Sequence, residues 1–281
     1  RIHGPSICAI AFRVKDAAEA FARAVRLGAK PVDANVGPME LNIPAIQGIG
    51  GSVIYLVDRY GENTIYDVDF VPLEGVDSDD TPTLGYVDHL THNVHRGRMD
   101  KWSEFYEKLF NFREIRYFDI EGKVTGLHSR AMTSPCGKIR IPINESADDK
   151  SQIEEYLVAY HGEGIQHIAL GANDIHAAVT TLSDAGISFL DTPSTYFDAI
   201  DTRLPGHGEN VEQLRANGIL IDGAPTEGQG ILLQIFTQNA IGPIFFELIQ
   251  QKGNDGFGEG NFQALFESME RDQIERGVIE T

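Results

Sequence analysis

The chain has 281 residues, 42 acidic against 23 basic, and a formal charge of −19. That surplus repels nucleic acid and anionic bilayers, and no apolar run approaches the roughly 20 residues of a membrane span, so neither a nucleic-acid nor a membrane role is expected. Cys8 and Cys136, the only cysteines, stand far apart outside any CxxC spacing; they support neither a disulfide framework nor a cysteine-built zinc site, and they point to the cytoplasm.

The first predicted elements lie in 10–32, "IAFRVKDAAEAFARAVRLGAKPV": a strand, Asp16 as N-cap, an amphipathic helix of about three turns and Gly28 as C-cap. "SVIYLVDRY" and "NTIYDVDFV" read as the β runs that follow. The acidic stretch "LEGVDSDDTPTLG" (73–85) reads as a linker. "YVDHLTHNV" (86–94) is a strand, and "MDKWSEFYEKLFNFREI" (99–115) is a helix with Trp102, Phe105, Tyr106, Leu109 and Phe110 on one face, then a strand. "IALGANDIHAAVTTLSDAGISFL" (168–190) repeats 10–32 without gaps, matching Ala11 with Ala169, Asp16 with Asp174, Ala20 with Ala178 and Gly28 with Gly186. "GILLQIFTQ" and "PIFFELIQQ" supply the last β runs. The repeating unit is β-α followed by a small antiparallel sheet, visible three times. Paired two by two, the units give two domains, 1–80 and 81–281, the first one unit short. With Arg1 as the first residue, an upstream unit is expected.

Polar outliers fall on matching points of this repeat. His167, in the apolar run "GIQHIAL", stands opposite Ala9 of the N-terminal copy, so the strand itself does not require an imidazole. Laying "TIYDVDFV" (64–71) on "PIFFELIQ" (243–250) puts Glu247 opposite Val68. Strand alternation turns Glu247 to the side of Phe245 and Ile249, where a carboxylate is costly to bury without a cation. His89 occupies in its unit the place His167 has in the next; His89 and His167 lie 78 positions apart, His167 and Glu247 80. Two imidazoles and one carboxylate on rigid strands make a facial triad suited to non-haem Fe(II), although zinc or manganese also fits such a set. His92 faces away from His89 in a strand and reads as a surface or supporting residue.

The motifs "DHLTHNVHRGRM", "INESADDKSQIEEYL", "GEGIQHIAL", "LLQIF", "FFELIQ" and "GFGEGNFQALFESMERDQ" resemble the 4-hydroxyphenylpyruvate dioxygenase family over nearly the whole chain. The resemblance implies an α+β vicinal-oxygen-chelate (glyoxalase/bleomycin-resistance-like) fold of βαβββ modules in two open barrel-like domains, the N-terminal one lacking its first module here and binding no metal. It implies Fe(II) on His89, His167 and Glu247, in agreement with the repeat. It also implies a polar wall of Ser129, Asn144, Gln152, Gln166 and Gln234, whose neutral groups orient a phenol and a keto acid without adding charge to the metal. Gln166 lies on the face opposite His167 in an ideal strand, so it either reaches the pocket through a local twist or supports its neighbour. Phe236, Phe245, Phe257, Phe262 and Phe266 resemble an aromatic clamp, the last two one turn apart on a helix opened by Asn261. "GFGEG" fails the GxGxxG pattern and reads as a turn before that lid helix.

The activity implied is conversion of 4-hydroxyphenylpyruvate and O2 to homogentisate and CO2 in tyrosine catabolism, by a homodimer or homotetramer. A hydroxymandelate synthase would share fold, ligands and substrate but oxidise the benzylic carbon. An extradiol dioxygenase or glyoxalase would share the metal but not the glutamines and "GFGEGNF" tail. A metal-free binding module of this fold would lack a ligand, and none of the three is absent.

Overall fold

Asp16 and Asp174 act as the N-caps the repeat predicts: their side chains accept from the backbone N–H of Glu19 (2.8 Å) and Ala177 (3.0 Å). The computed structural model describes residues 2–33, 37, 40–74, 83–121, 126–149, 151–261 and 263–265. In chain order its N-terminal elements are β1 (Ala9–Arg13), α1 (Ala17–Arg26), β2 (Ala45–Gln47), β3 (Val53–Val57) and α2 (Tyr66–Asp69). Next come β4 (Tyr86–Val94), α3 (Met99–Phe110), β5 (Arg113–Glu121), β6 (Gly126–Thr133), β7 (Arg140–Ser146) and α4 (Gln152–Tyr160). The chain continues with β8 (Gly164–Gly171), α5 (Ile175–Asp184), α6 (Ser194–Asp198), α7 (Ile200–Arg203), α8 (Val211–Asn217), β9 (Leu220–Ala224), β10 (Gln229–Phe236) and β11 (Phe245–Lys252). Residues 259–261 and 263–265 are helical. None of the described helices is long and apolar enough to cross a membrane.

One eight-stranded sheet, ordered β5-β6-β7-β4-β8-β11-β10-β9, carries the C-terminal half. Its two modules meet where β4 and β8 pair antiparallel, and each pairs its first strand in parallel with its last, β4 with β7 and β8 with β11. The sheet is therefore two copies of one motif about a local twofold at Leu90 and Ile168, which are paired. The N-terminal sheet, ordered β1-β3-β2, has the same parallel β1–β3 pairing.

That pairing corrects two readings of the first module. "NTIYDVDFV" is not a strand: Thr64 donates to Asp67 through its backbone N–H (2.6 Å) and its hydroxyl (2.9 Å), and this local turn runs into helix α2. Val68, on that helix, is half exposed. The strand matching β11 is β3. Ala11 pairs with Tyr55 as Ala169 pairs with Glu247, so the N-terminal counterpart of Glu247 is Tyr55, not Val68.

Helix α3 packs on one face of the sheet, burying Trp102, Tyr106 and Leu109 as its periodicity predicts; each contributes about 1.5–3 kcal/mol. The same buried cluster takes in Phe12, Ile46, Ile54 and Leu56 from the N-terminal sheet and Ile141, Ile143 and Ile165 from the C-terminal one, so one core runs through both. His92 is buried in that layer, with Nε2 2.7 Å from the Tyr106 hydroxyl, rather than at the surface. Burial lowers its pKa to about 3, which leaves it a neutral core histidine. The stretch 73–85 falls largely outside the described residues.

Helix α4 lies on the opposite face. The reason is Gly164, which pairs with Asn93 of β4. A Cβ there would stand 2.3 Å from Cε1 of Tyr160 and 2.9 Å from the Tyr156 hydroxyl, so the absent side chain is what lets α4 seat. Gly164→Ala is expected to destabilise the protein by about 1–3 kcal/mol, the usual range for overpacking, measured as a lower denaturant midpoint at unchanged slope. A wild-type midpoint would show that α4 is not held there.

Candidate metal centre and substrate pocket

Register places the three predicted ligands on one face. His89 pairs with Ala169 and Ala169 with Glu247, so the imidazole and the carboxylate flank a buried alanine in one row across β4, β8 and β11. His167 lies two residues before Ala169 on the same strand. The Nε2 atoms of His89 and His167 approach the same Glu247 oxygen, Oε2, at 3.2 and 3.3 Å, and one ligand atom of each residue lies within 4.8 Å of the others. Exposure is 2 % for His89, 9 % for His167 and 2 % for Glu247.

Each imidazole is aimed by the residue before it. Nδ1 of His89 lies 2.8 Å from Oδ1 of Asp88, and Nδ1 of His167 lies 3.0 Å from Oε1 of Gln166. With the proton on Nδ1, each ring presents the Nε2 lone pair to the shared centre. Both supporting residues sit at register shifts in the β4–β8 pairing, Asp88 between Val87 and His89 and Gln166 opposite the Thr91/His92 step. The bulge supplies the local twist that Gln166 needs to turn toward its neighbour. Asp88 is absent from the predicted set. The signal was present, since "DH" and "QH" stand at matching positions of the repeat.

The electrostatics suit a divalent cation. Burial pushes His89 down, but the charge of Glu247 and hydrogen bonds to Asp88 and Glu247 outweigh it and raise the pKa to about 9. For Glu247, burial pushes upward, and the charge of His89 with hydrogen bonds to both histidines brings it to about 2. Burial keeps His167 below the ordinary histidine value despite Glu247. A buried anion thus faces two imidazoles, and its second oxygen, Oε1, is buried with no hydrogen-bond partner among the described residues. Two nitrogens, one carboxylate and an unsatisfied oxygen fit a metal ion.

Residues 1–71 match the family model described as "Hydroxyphenylpyruvate dioxygenase, HPPD, N-terminal", and residues 86–200 match that of the glyoxalase/bleomycin resistance protein/dioxygenase superfamily. The chain is 66 % identical to a 4-hydroxyphenylpyruvate dioxygenase of Pseudomonas aeruginosa, over 99 % of its own length and 78 % of that relative's. The chain belongs to the 4-hydroxyphenylpyruvate dioxygenase family. It is also 62 % identical to Hemolysin VllY of Vibrio vulnificus, over 99 % of this chain and 79 % of that one. Among solved structures, a mutant of 4-hydroxymandelate synthase from Streptomyces coelicolor matches with TM-score 0.78 at 30 % identity, covering 97 % of this chain and 78 % of that one.

Around the triad, several of the residues that the family resemblance implies fall in rows set by strand register. Phe236 pairs with Glu247 and Phe245 with His167. The Phe245 ring stacks on His167 at 4.8 Å, Phe236 stands 6.4 Å from the same imidazole, and Phe257 meets His89 edge-on at 5.2 Å. Gln234, two residues before Phe236, is buried, and its Oε1 has no partner among the described residues. Gly258 lies over that amide with φ +74°, and a Cβ there would come within 1.5 Å of Oε1, so only glycine lets the chain cross. Ser129, Asn144 and Asn93 form a second row across β6, β7 and β4. Gln152 opens α4 with its side chain exposed and without a hydrogen bond to the triad. Phe262 and Phe266 lie outside the described residues.

Asn93 was not predicted. It is fully buried, and neither its amide oxygen nor its nitrogen has a partner among the described residues. Asn261 does not open the last helix, which already includes Glu259; its Oδ1 accepts instead from the Tyr196 hydroxyl at 2.6 Å. A cleft of about 560 Å³, lined by Lys30, Gln47, Arg98, Trp102 and Phe105 among others, lies on the α3 side of the sheet and shares no residue with the triad.

Proposed function

We propose that the chain binds Fe(II) through His89, His167 and Glu247 and converts 4-hydroxyphenylpyruvate and O2 to homogentisate and CO2. The observation that carries this reading is the convergence of two imidazoles on one buried carboxylate oxygen, with phenylalanines and unpartnered amides on the same face. Bound there, Fe(II) would supply the redox chemistry with dioxygen and a seat for the keto-acid oxygens. Asp88 and Gln166 hold a proton on Nδ1 of each histidine, so that Nε2 is the nitrogen offered to the metal. Phe236, Phe245 and Phe257 exclude water and flank the substrate ring; we assign Phe262 and Phe266 to the same clamp. The unpaired Oε1 of Gln234 accepts a hydrogen bond from the substrate, and Ser129, Asn144, Gln152 and Asn93 supply further neutral partners that orient the phenol without competing for the cation.

Ring hydroxylation is favoured over benzylic oxidation by the 66 % identity to the dioxygenase, against 30 % to the hydroxymandelate synthase mutant. Anaerobic addition of 4-hydroxyphenylpyruvate to Fe(II)-loaded protein is expected to give a visible charge-transfer band, and admission of air to give homogentisate by chromatography. Hydroxymandelate as the product would overturn the reaction assignment, and absence of both band and oxygen uptake would overturn the metal assignment. Two exposed free cysteines accord with a cytoplasmic location, and a homodimer or homotetramer is the assembly proposed from the family resemblance.

A further inference from the structure

The two metal-facing histidines are supported differently. Behind His167 stands a neutral amide, Gln166, and across the parallel strand pair stands Phe245. Behind His89 stands a carboxylate, Asp88, and across the corresponding pair stands Arg140. Charge enters both positions in one module and neither in the other. The Asp88 side chain is wholly buried, and an anion so placed requires a counter-ion. His89 cannot serve while its Nε2 lone pair binds a metal, because the ring is then neutral. Arg140 can: Nη2 donates to Asp88 Oδ2, the oxygen not engaged by His89.

The same guanidinium has a second set of contacts. Nη1 donates to the backbone carbonyl of Asp255 at 3.0 Å, and the group lies 5.5 Å from the centre of the Phe257 ring, which itself meets His89 edge-on. One planar fork thus touches both the residue that aims His89 and the segment that covers it, a geometry a single ammonium cannot reproduce. We propose that Arg140 is a positioning residue of the metal centre with two separable roles: its charge holds Asp88 on His89 and so sustains metal affinity, and its fork clamps Asp255–Phe257 over the same imidazole and so orders that segment. This rests on the reading of His89, His167 and Glu247 as a metal site.

The test uses the full chain with Co(II) as the anaerobic probe, followed by its visible d–d bands, together with hydrogen exchange by mass spectrometry. Arg140→Gln is expected to weaken Co(II) binding about tenfold or more, the usual effect of losing an outer hydrogen-bond partner. It is also expected to speed exchange in 253–258 while leaving α5 unchanged. Arg140→Lys restores the charge beside Asp88 but not the fork, so its affinity is expected within about threefold of wild type while 253–258 still exchanges faster. Wild-type affinity in Arg140→Gln, or wild-type exchange of 253–258 in either variant, overturns the proposal; should Arg140→Gln fail to fold, the lysine variant decides on exchange alone. Failure of the wild-type chain to bind Co(II) is a separate outcome that removes the metal reading itself.

Discussion

Glu247→Ala is expected to abolish metal retention and lower turnover of 4-hydroxyphenylpyruvate by about 10³-fold or more, a loss of at least about 4 kcal/mol of transition-state stabilisation. Oε2 of Glu247 is the atom both imidazoles approach, so its removal takes away the only negative charge on the triad and the point on which the rings converge. The fold is expected to survive. The corresponding place is filled by Tyr55 in the N-terminal module and, two residues beyond Arg140, by Pro142 in the central one, so the strand pairing does not depend on a carboxylate there. Nor is a charge stranded, because His89 can release its proton once Glu247 no longer holds it. The metal-free variant should therefore unfold only about 3–6 °C lower, the shift that about 1–2 kcal/mol produces in a chain of this size. Glu247→Gln keeps the shape and loses the charge, and it is expected to follow the alanine variant in metal content. Colorimetric iron determination after anaerobic loading and an oxygen electrode make the comparison. A variant that retains a full equivalent of iron and a tenth of wild-type turnover would rule out Glu247 as a ligand.

The parts of this arrangement written locally were legible. Asp16 and Asp174 announce helices because a cap acts within three residues of itself, and the alternation of Phe245, Glu247 and Ile249 assigns a face because a strand has period two. The repeat identified His89 and His167 because the local twofold maps one to the other with no insertion between Leu90 and Ile168. It failed for Val68 because that match rested on apolar alternation in two separate β-like runs, whereas the N-terminal module reaches its last strand earlier, at Val53–Val57, and Thr64 and Asp67 form a turn where the alternation suggests a strand. Gln166 stayed ambiguous for another reason: a bulge is a property of two strands in register and has no signature in either alone. The third dimension was also needed for Asn93, whose two unpaired amide atoms mark it only when its burial is known, and for Arg140, 51 positions from the histidine beside it (140 − 89). The boundary expected near residue 80 separates two sheets, but the buried cluster joining Phe12 and Leu56 to Tyr106 and Ile141 runs across it.

Metal affinity is expected to rise about tenfold per pH unit between pH 6 and pH 8 and to level off above about pH 9, because binding must expel one proton. That proton sits on His89: burial disfavours the charged ring, but Glu247 and Asp88 outweigh burial and raise its pKa to about 9. His167, held below the ordinary value, is already neutral in this window, and Glu247, at about 2, is already ionised. The stability of the metal-free protein runs the other way. Because His89 is raised on folding, its contribution is complete below the unfolded value near 6.5 and is lost as pH climbs through about 9. Glu247 is lowered on folding, so its contribution is present above about 4.5 and is lost as pH falls toward 2. His92 and His167 are lowered on folding by burial, so below about 6.5 the unfolded chain takes up their protons more readily and stability falls there too; the apo protein should therefore be most stable near pH 6.5, and alkaline conditions that loosen it should tighten the metal. Calorimetric titration with Co(II) at pH 7, in two buffers of different ionisation enthalpy, counts the protons directly. One proton released per metal, falling toward zero at pH 10, is the expected result; none released at pH 7 would mean that His89 is neutral before the metal arrives and that the Asp88–His89–Glu247 chain does not hold a charge.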